Sequence, residues 1–124
     1  MSTQIMDKVR DIEQRTFRFA LNIVRLCQKI EDKVGTSRTL ALQLLRSGTS
    51  VGANVEEAQA GQSRADFISK YSIALKEIRE TRYWLRLMAE SAIVDVHAIY
   101  PLIEEAAELS RILGATVSRS KQTT

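Results

Sequence analysis

The chain has 124 residues, of which 44% are hydrophobic and 27% charged, with a formal net charge of +3. That is the size and usage of one globular domain with a continuous core, which excludes a mostly disordered chain. The single cysteine excludes an intramolecular disulfide, and no apolar run nears the roughly 20 residues that cross a bilayer. The polar, charged start MSTQIMDKVRDIEQ does not read as a signal peptide, so a cytoplasmic protein with no membrane partner is expected.

One proline and five glycines over this length favour a few long helices over many short strands. The first helix is expected over residues 4–34, where Val9, Ile12, Thr16, Phe19, Ile23, Cys27, Ile30 and Val34 recur at steps of three and four and so share a face. Phe17, Leu21 and Val24 widen this stripe and leave apolar surface over, which makes them candidate subunit-interface residues. Cys27, inside an apolar helical pattern, reads as a small buried hydrophobe and not as a reactive thiol. Gly35 followed by Thr36 and Ser37 pairs a C-cap glycine with an N-cap hydroxyl.

The second helix is expected over residues 37–60, with Leu40, Leu44, Val51, Val55 and Ala58 as its apolar line, and Gly61 and Ser63 repeat the stop-and-start signal. The third, over residues 64–91, carries Phe67, Tyr71, Ala74, Ile78, Thr81, Leu85 and Met88 on one face. After a break around residues 93–96, Asp95 is a candidate cap for a fourth helix reaching residue 117 through Ile99, Leu102, Ile103, Ala106, Leu109, Ile112 and Leu113. Pro101 is comfortable only in a helix's first turn, which points to a start nearer Ala98. The tail SRSKQTT has no apolar residue to bury and is expected to fray, leaving residues 1–117 as the domain and 118–124 as the tail. Connections this short make neighbouring helices antiparallel, so the predicted fold class is all-α, an antiparallel up-and-down four-helix bundle. A three-helix arrangement that ignores the second break is its rival.

The second helix is locally weak. Its segment RSGTSVGAN gathers residues that disfavour helix interiors, and Gly48 and Gly52 each cost about 1 kcal/mol relative to alanine. Beside the apolar line runs a polar one, Gln43, Ser47, Ser50, Asn54, Glu57 and Gly61, again at steps of four and three. Two compensations are physically sensible. Small residues let another backbone approach, with Arg46, Ser47, Ser50, Asn54 and Glu57 forming a structural polar motif with Glu77 and Glu80 of the third helix or with a neighbouring subunit. Alternatively, Asn54 and Glu57 line a pocket or pore. A pairing of Glu80 with Arg46 or Arg82 would let that carboxylate tolerate partial burial. Trp84, on the same side as Glu77 and Glu80, is either a core residue or an anchor at a subunit contact.

Charge is uneven along the chain. Residues 1–34 and 62–91 hold the basic surplus, which would place a basic side on the first and third helices. Arg18, Arg25, Lys70, Lys76, Arg79 and Arg86 are the candidate contacts to RNA or DNA phosphates.

Residues 46–88, RSGTSVGANVEEAQAGQSRADFISKYSIALKEIRETRYWLRLM, resemble the bacterial four-helix bundle proteins encoded by intervening sequences of large-subunit ribosomal RNA genes. The resemblance rests on Arg46-Ser47, Ser50-Val51-Gly52-Ala53-Asn54, Glu57, Phe67, Ala74, Glu80 and the Tyr83-Trp84-Leu85 ending. It implies a ring-shaped homopentamer. The accessory variability proteins of diversity-generating retroelements look alike, and that likeness implies affinity for nucleic acid and for a reverse transcriptase.

No catalytic apparatus is legible. A di-iron bundle site needs two Glu-x-x-His motifs, whereas His97 is the single histidine and reads as a surface or capping residue. Ser47 and Ser50 have no visible histidine base. No metal, cofactor or enzymatic activity is therefore expected. The leading reading is a non-enzymatic oligomeric scaffold or adaptor with nucleic-acid affinity. The alternatives are a module that docks a partner polypeptide between helices, with its charge incidental, and a structural oligomer whose own assembly is the point.

Overall fold

The runs of three-and-four apolar spacing fold into four α-helices in a computed structural model that describes residues 3–30 and 34–122, with side chains from residue 11 onward. They are α1 (Thr3–Ile30), α2 (Thr36–Ala60), α3 (Arg64–Glu90) and α4 (Val96–Gln122), with no strand among the described residues. The links between them are short, so each helix turns back along its predecessor. Packing is closest between α1 and α2, α2 and α3, and α3 and α4; α4 meets α1 along a thinner seam, and α1 and α3 lie on a diagonal with no close backbone approach among the described residues. This is the antiparallel four-helix bundle that the spacing predicts. Its core holds Phe19, Ile23 and Ile30 of α1, Leu44, Val51 and Val55 of α2, Ile78, Leu85 and Met88 of α3, and Ile99, Leu109 and Leu113 of α4.

Helix ends follow local chemistry, with some departures. Ser63 caps α3 by accepting a hydrogen bond from the Asp66 amide at 3.1 Å. Asp95 caps α4, its carboxylate accepting from the His97 amide at 2.9 Å. The helix thus begins at Val96 and not near Ala98, and Pro101 sits inside it on the exposed side. The proline removes one ladder bond after the first turn, and the Asp95 cap supplies a partner to an otherwise orphan amide.

Before α2 the N-cap is Gly35, at φ +75°, with no side-chain cap, so the expected Thr36 or Ser37 hydroxyl cap is absent. Thr39 instead donates to the Gly35 carbonyl at 3.2 Å. Val34, expected in the first stripe, lies outside the helix and is 81% exposed. The side chain of Val9, in the same stripe, lies outside the described residues. The tail expected to fray from residue 118 continues α4 to Gln122, with Arg119 and Lys121 in a last turn where positive charge suits the helix dipole; residues 123–124 lie outside the described residues.

The end of α3 carries a testable strain. The Ile93 amide reaches the Met88 carbonyl at 3.1 Å and the Ala92 amide reaches Ala89 at 3.2 Å. This is a Schellman motif whose left-handed position is held by Ala92 at φ +56°. Glycine adopts that region without a Cβ clash, so Ala92→Gly should stabilise the protein by about 1 kcal/mol. A urea midpoint that fails to rise would contradict this account.

The weak stretch of α2 is compensated by proximity to α1. A Cβ on Gly48 would stand 2.9 Å from Cγ2 of Ile23, and one on Gly52 only 3.2 Å from the backbone carbonyl oxygen of Thr16. Thr16 is buried and folds its hydroxyl back onto the Ile12 carbonyl at 2.8 Å, leaving a smooth surface for Gly52. The third helix or a second subunit was the expected recipient of these glycines. Alone among the buried small residues of that stretch, Ser47 bonds to α3.

Candidate functional site

Between α2 and α3 the structure assembles most of the expected polar motif. Ser47 and Thr81 are both buried, and the Thr81 hydroxyl lies 2.9 Å from that of Ser47 and 2.7 Å from the Glu77 carbonyl. Outside this pair, Arg46 forks between Glu77, at 3.2 Å, and Glu80. Of the two partners offered for Glu80, Arg46 is the one used. The Trp84 indole N–H donates to the same Glu80 carboxylate at 3.0 Å. That indole bond and the Arg46 guanidinium hold the Glu80 carboxyl below the usual carboxylate range, although partial burial opposes them.

The rest of the motif behaves locally. Ser50 donates to the Arg46 carbonyl and Asn54 to the Ser50 carbonyl, each at 2.8 Å, so both satisfy their own helix. Glu57 is exposed and pairs with Lys70 at 3.2 Å. The arrangement is an inter-helix clamp. Its groups have partners.

Two polar contacts between α2 and α3 escaped the sequence reading. Thr81 stood in the apolar stripe because its step of three and four matched, and the hydroxyl facing Ser47 was the only available signal. Gln59, which donates to the buried Tyr71 hydroxyl at 3.0 Å, carried no signal beyond its polarity. Burial pushes the Tyr71 hydroxyl up to about 12. The Cys27 thiol is buried, donates weakly to the Ala41 carbonyl at 3.4 Å and is pushed up to about 11 by desolvation, which suits a core residue. His97 is exposed beside the α4 cap.

The candidate interface residues divide. Phe17 is 63% exposed and Leu21 stands one turn on, lining a groove with Glu13, Gln14, Arg18 and Glu56. Val24 continues the line into a groove of about 260 Å³ with Cys27, Gln28, Arg38, Ala41, Leu42 and Leu45, where Leu42 is 58% exposed. An apolar strip therefore follows the outer α1–α2 edge. Trp84 is not part of it. It is half-buried on α3, packed edge-on with Tyr83 at 5.2 Å and bonded to Glu80.

The candidate phosphate contacts divide as well. Arg18 lines the α1–α4 seam with Pro101, Leu102 and Glu105, and Arg25 is exposed on α1. Lys70 is engaged by Glu57, and Lys76 lies 4.0 Å from Glu77. Arg79 lines the α3–α4 groove, and Arg86 is exposed two turns along α3. Because α1 and α3 lie diagonally across the bundle, the basic side expected from them is split into two flanks by α4, which carries Glu104, Glu105 and Glu108. The Arg15–Glu105 fork, at 2.7 and 3.2 Å, ties the thin α1–α4 seam and was not foreseen.

Fold and surface together define a small antiparallel four-helix bundle protein with an uncovered apolar edge and a separate basic groove. The chain belongs to the 23S rRNA-intervening sequence protein family, whose model matches residues 8–115. Among solved structures it is similar to a protein of unknown function from the S23 ribosomal protein family of Bacteroides thetaiotaomicron VPI-5482. The two share 36% identity with a TM-score of 0.81, over 90% of this chain and 98% of that one. Among curated proteins, none matches the chain. No helix among the described residues is long and apolar enough to cross a membrane.

Proposed function

We propose that this protein is a non-enzymatic, cytoplasmic homo-oligomeric scaffold, a pentameric ring, that binds RNA or DNA through its basic surface. The observation that carries the assembly reading is the strip formed by Phe17, Leu21, Val24 and Leu42. A monomer gains nothing by leaving a phenylalanine 63% exposed in line with three further apolar side chains, and covering such a strip against another copy removes it from water. Arg79 on the α3 flank of α4 supports the nucleic-acid reading by supplying a phosphate fork away from that edge. A reverse transcriptase is the protein partner that the retroelement likeness suggests.

Light scattering at micromolar concentration tests the assembly: the native protein should scatter as a multimer and Phe17→Glu as a folded monomer. A native monomer would overturn the ring. Binding to structured RNA and DNA should weaken steeply as salt rises, and a salt-insensitive or absent interaction would remove the nucleic-acid part. The second reading, docking of a partner polypeptide, is supported by the groove shape of the Val24–Leu42 site; such binding would survive high salt.

A further inference from the structure

The α3–α4 groove combines features that the rest of the surface does not. Arg79 and Arg82 of α3 form one wall, and Ala107, Ser110 and Arg111 of α4 the other, around about 370 Å³. Leu75, one turn before Arg79, lies within contact distance of a Cβ built on Gly114, which sets this side of α3 against α4. Small residues on α4, Ala107 and Ser110, keep the groove open. Arg86 continues the line of Arg79 and Arg82, about 10 Å from first to last at 1.5 Å per residue.

The charge there is mostly uncompensated. Several cations elsewhere are engaged, Arg15 by Glu105, Arg46 by Glu77 and Glu80 and Lys70 by Glu57. Arg18, Arg25 and Arg38 are unpaired among the described residues but do not share one groove with a second helix's arginine. Arg79, Arg82 and Arg86 have no ion-pair partner among the described residues. Arg111 does have one, Glu108 at 2.6 Å, within its own helix. That contact steadies the guanidinium at the groove and leaves several of its donors free. Three guanidiniums thus converge from two helices against one carboxylate. They repel one another until an oxyanion enters, and the planar fork of arginine matches phosphate oxygens two at a time. The elongated line suits successive phosphates of a chain better than one ion. The acidic face of α4 at Glu104 and Glu105 borders it and would repel a polyanion that strayed across that helix.

We propose that the α3–α4 groove is the phosphodiester-binding track of the protein, in which Arg79, Arg82 and Arg111, with the Ser110 hydroxyl, hold the backbone of RNA or DNA and Arg86 extends the path. This rests on the nucleic-acid reading above and adds to it a location, three residues (Arg82, Ser110 and Arg111) outside the expected contacts, and a reduced role for Lys70 and Lys76.

The test is fluorescence anisotropy with a labelled single-stranded RNA and its DNA counterpart over a salt series. It compares the native protein, R79Q/R82Q/R111Q, and a charge-matched control, K29Q/R119Q/K121Q, at exposed positions on α1 and the last turn of α4. The groove variant should bind at least about 10-fold more weakly and lose about 2 to 3 from the logarithmic salt slope, close to one per phosphate contact removed. The control should lose less than about 2-fold, and both variants should keep the native helical circular dichroism. RNA and DNA arms that fall together identify the phosphodiester as the ligand, whereas loss of one alone overturns the backbone assignment. Equal weakening by groove and control variants would overturn the track while leaving nucleic-acid binding intact. Absence of binding by the native protein would overturn both. Competition by polyglutamate as strong as by polyphosphate would also overturn it, in favour of an acidic polypeptide.

Discussion

Replacing Gly52 with valine should destabilise the bundle by about 3 kcal/mol, the upper part of the range for overpacking a close-packed interior. A Cβ at this position already stands 3.2 Å from the Thr16 carbonyl oxygen and 3.3 Å from its carbonyl carbon. Both are backbone atoms, so no side-chain rotation relieves the contact, and the two further methyls of valine must push α1 away from α2. Gly52→Ala is the informative contrast. Its single methyl needs a shift of a few tenths of an ångström, and it gains about 1 kcal/mol of helix propensity, so its net effect should be small. At Gly48 the neighbouring atoms belong to the Ile23 side chain. Gly48→Ala should therefore be rescued in part by Ile23→Ala, whereas no change at the Thr16 side chain should rescue Gly52→Val. Urea denaturation of the set measures this, and a Gly52→Val midpoint equal to the native one would show that α1 and α2 separate without cost.

Arg46→Ala should produce the second large loss, because it leaves the buried Glu77 carboxylate with only the longer 4.0 Å contact to Lys76 and releases Glu80 in one step. Removing one partner of such a pair is costly mainly because the other stays in the interior. The double variant Arg46→Ala/Glu77→Gln should accordingly recover much of the stability that Arg46→Ala loses. The clamp also has a pH signature. Glu80 is held below its ordinary value of 4.5, first by the Trp84 indole and then by Arg46. A carboxyl depressed in the folded state contributes stability that is fully present above the unfolded value and is lost as pH falls through the folded one. Native stability should therefore decline below about pH 4.5 partly through Glu80. Trp84→Phe should start lower at neutral pH and lose less on acidification, because the folded and unfolded carboxyls then differ less. Urea midpoints at about pH 7 and about pH 3 compare the slopes. Parallel curves for the native protein and Trp84→Phe would remove the indole bond from the account.

How much of this was legible in the residues varies by type of interaction. The helices were readable because burial imposes a period: Leu44, Val51, Val55 and Ala58, or Ile78, Leu85 and Met88, can share a face only in a helix. The caps at Ser63 and Asp95 were readable because they act within three residues. The start of α4 was not, because Pro101 and Asp95 gave opposing local signals and the cap prevailed. Thr81 shows the limit of pattern reading, since a buried hydroxyl occupies an apolar position when a partner such as Ser47 meets it across the helix contact. Asn54, for which a pocket lining was the alternative, donates to the carbonyl one turn behind it.

By itself the sequence determined four amphipathic helices, their order, their antiparallel course through short links, and a second helix too weak to stand without close neighbours. Tertiary structure alone decided which neighbour each small residue meets: α1 for Gly48 and Gly52, α3 for Ser47. It also put Arg18 and Arg79 on opposite flanks of α4 and brought Arg82 and Arg111 together from different helices. The physical reason is that periodicity depends on a residue's own helix, whereas pairing depends on rotation and offset between helices, which the packing of the whole core sets.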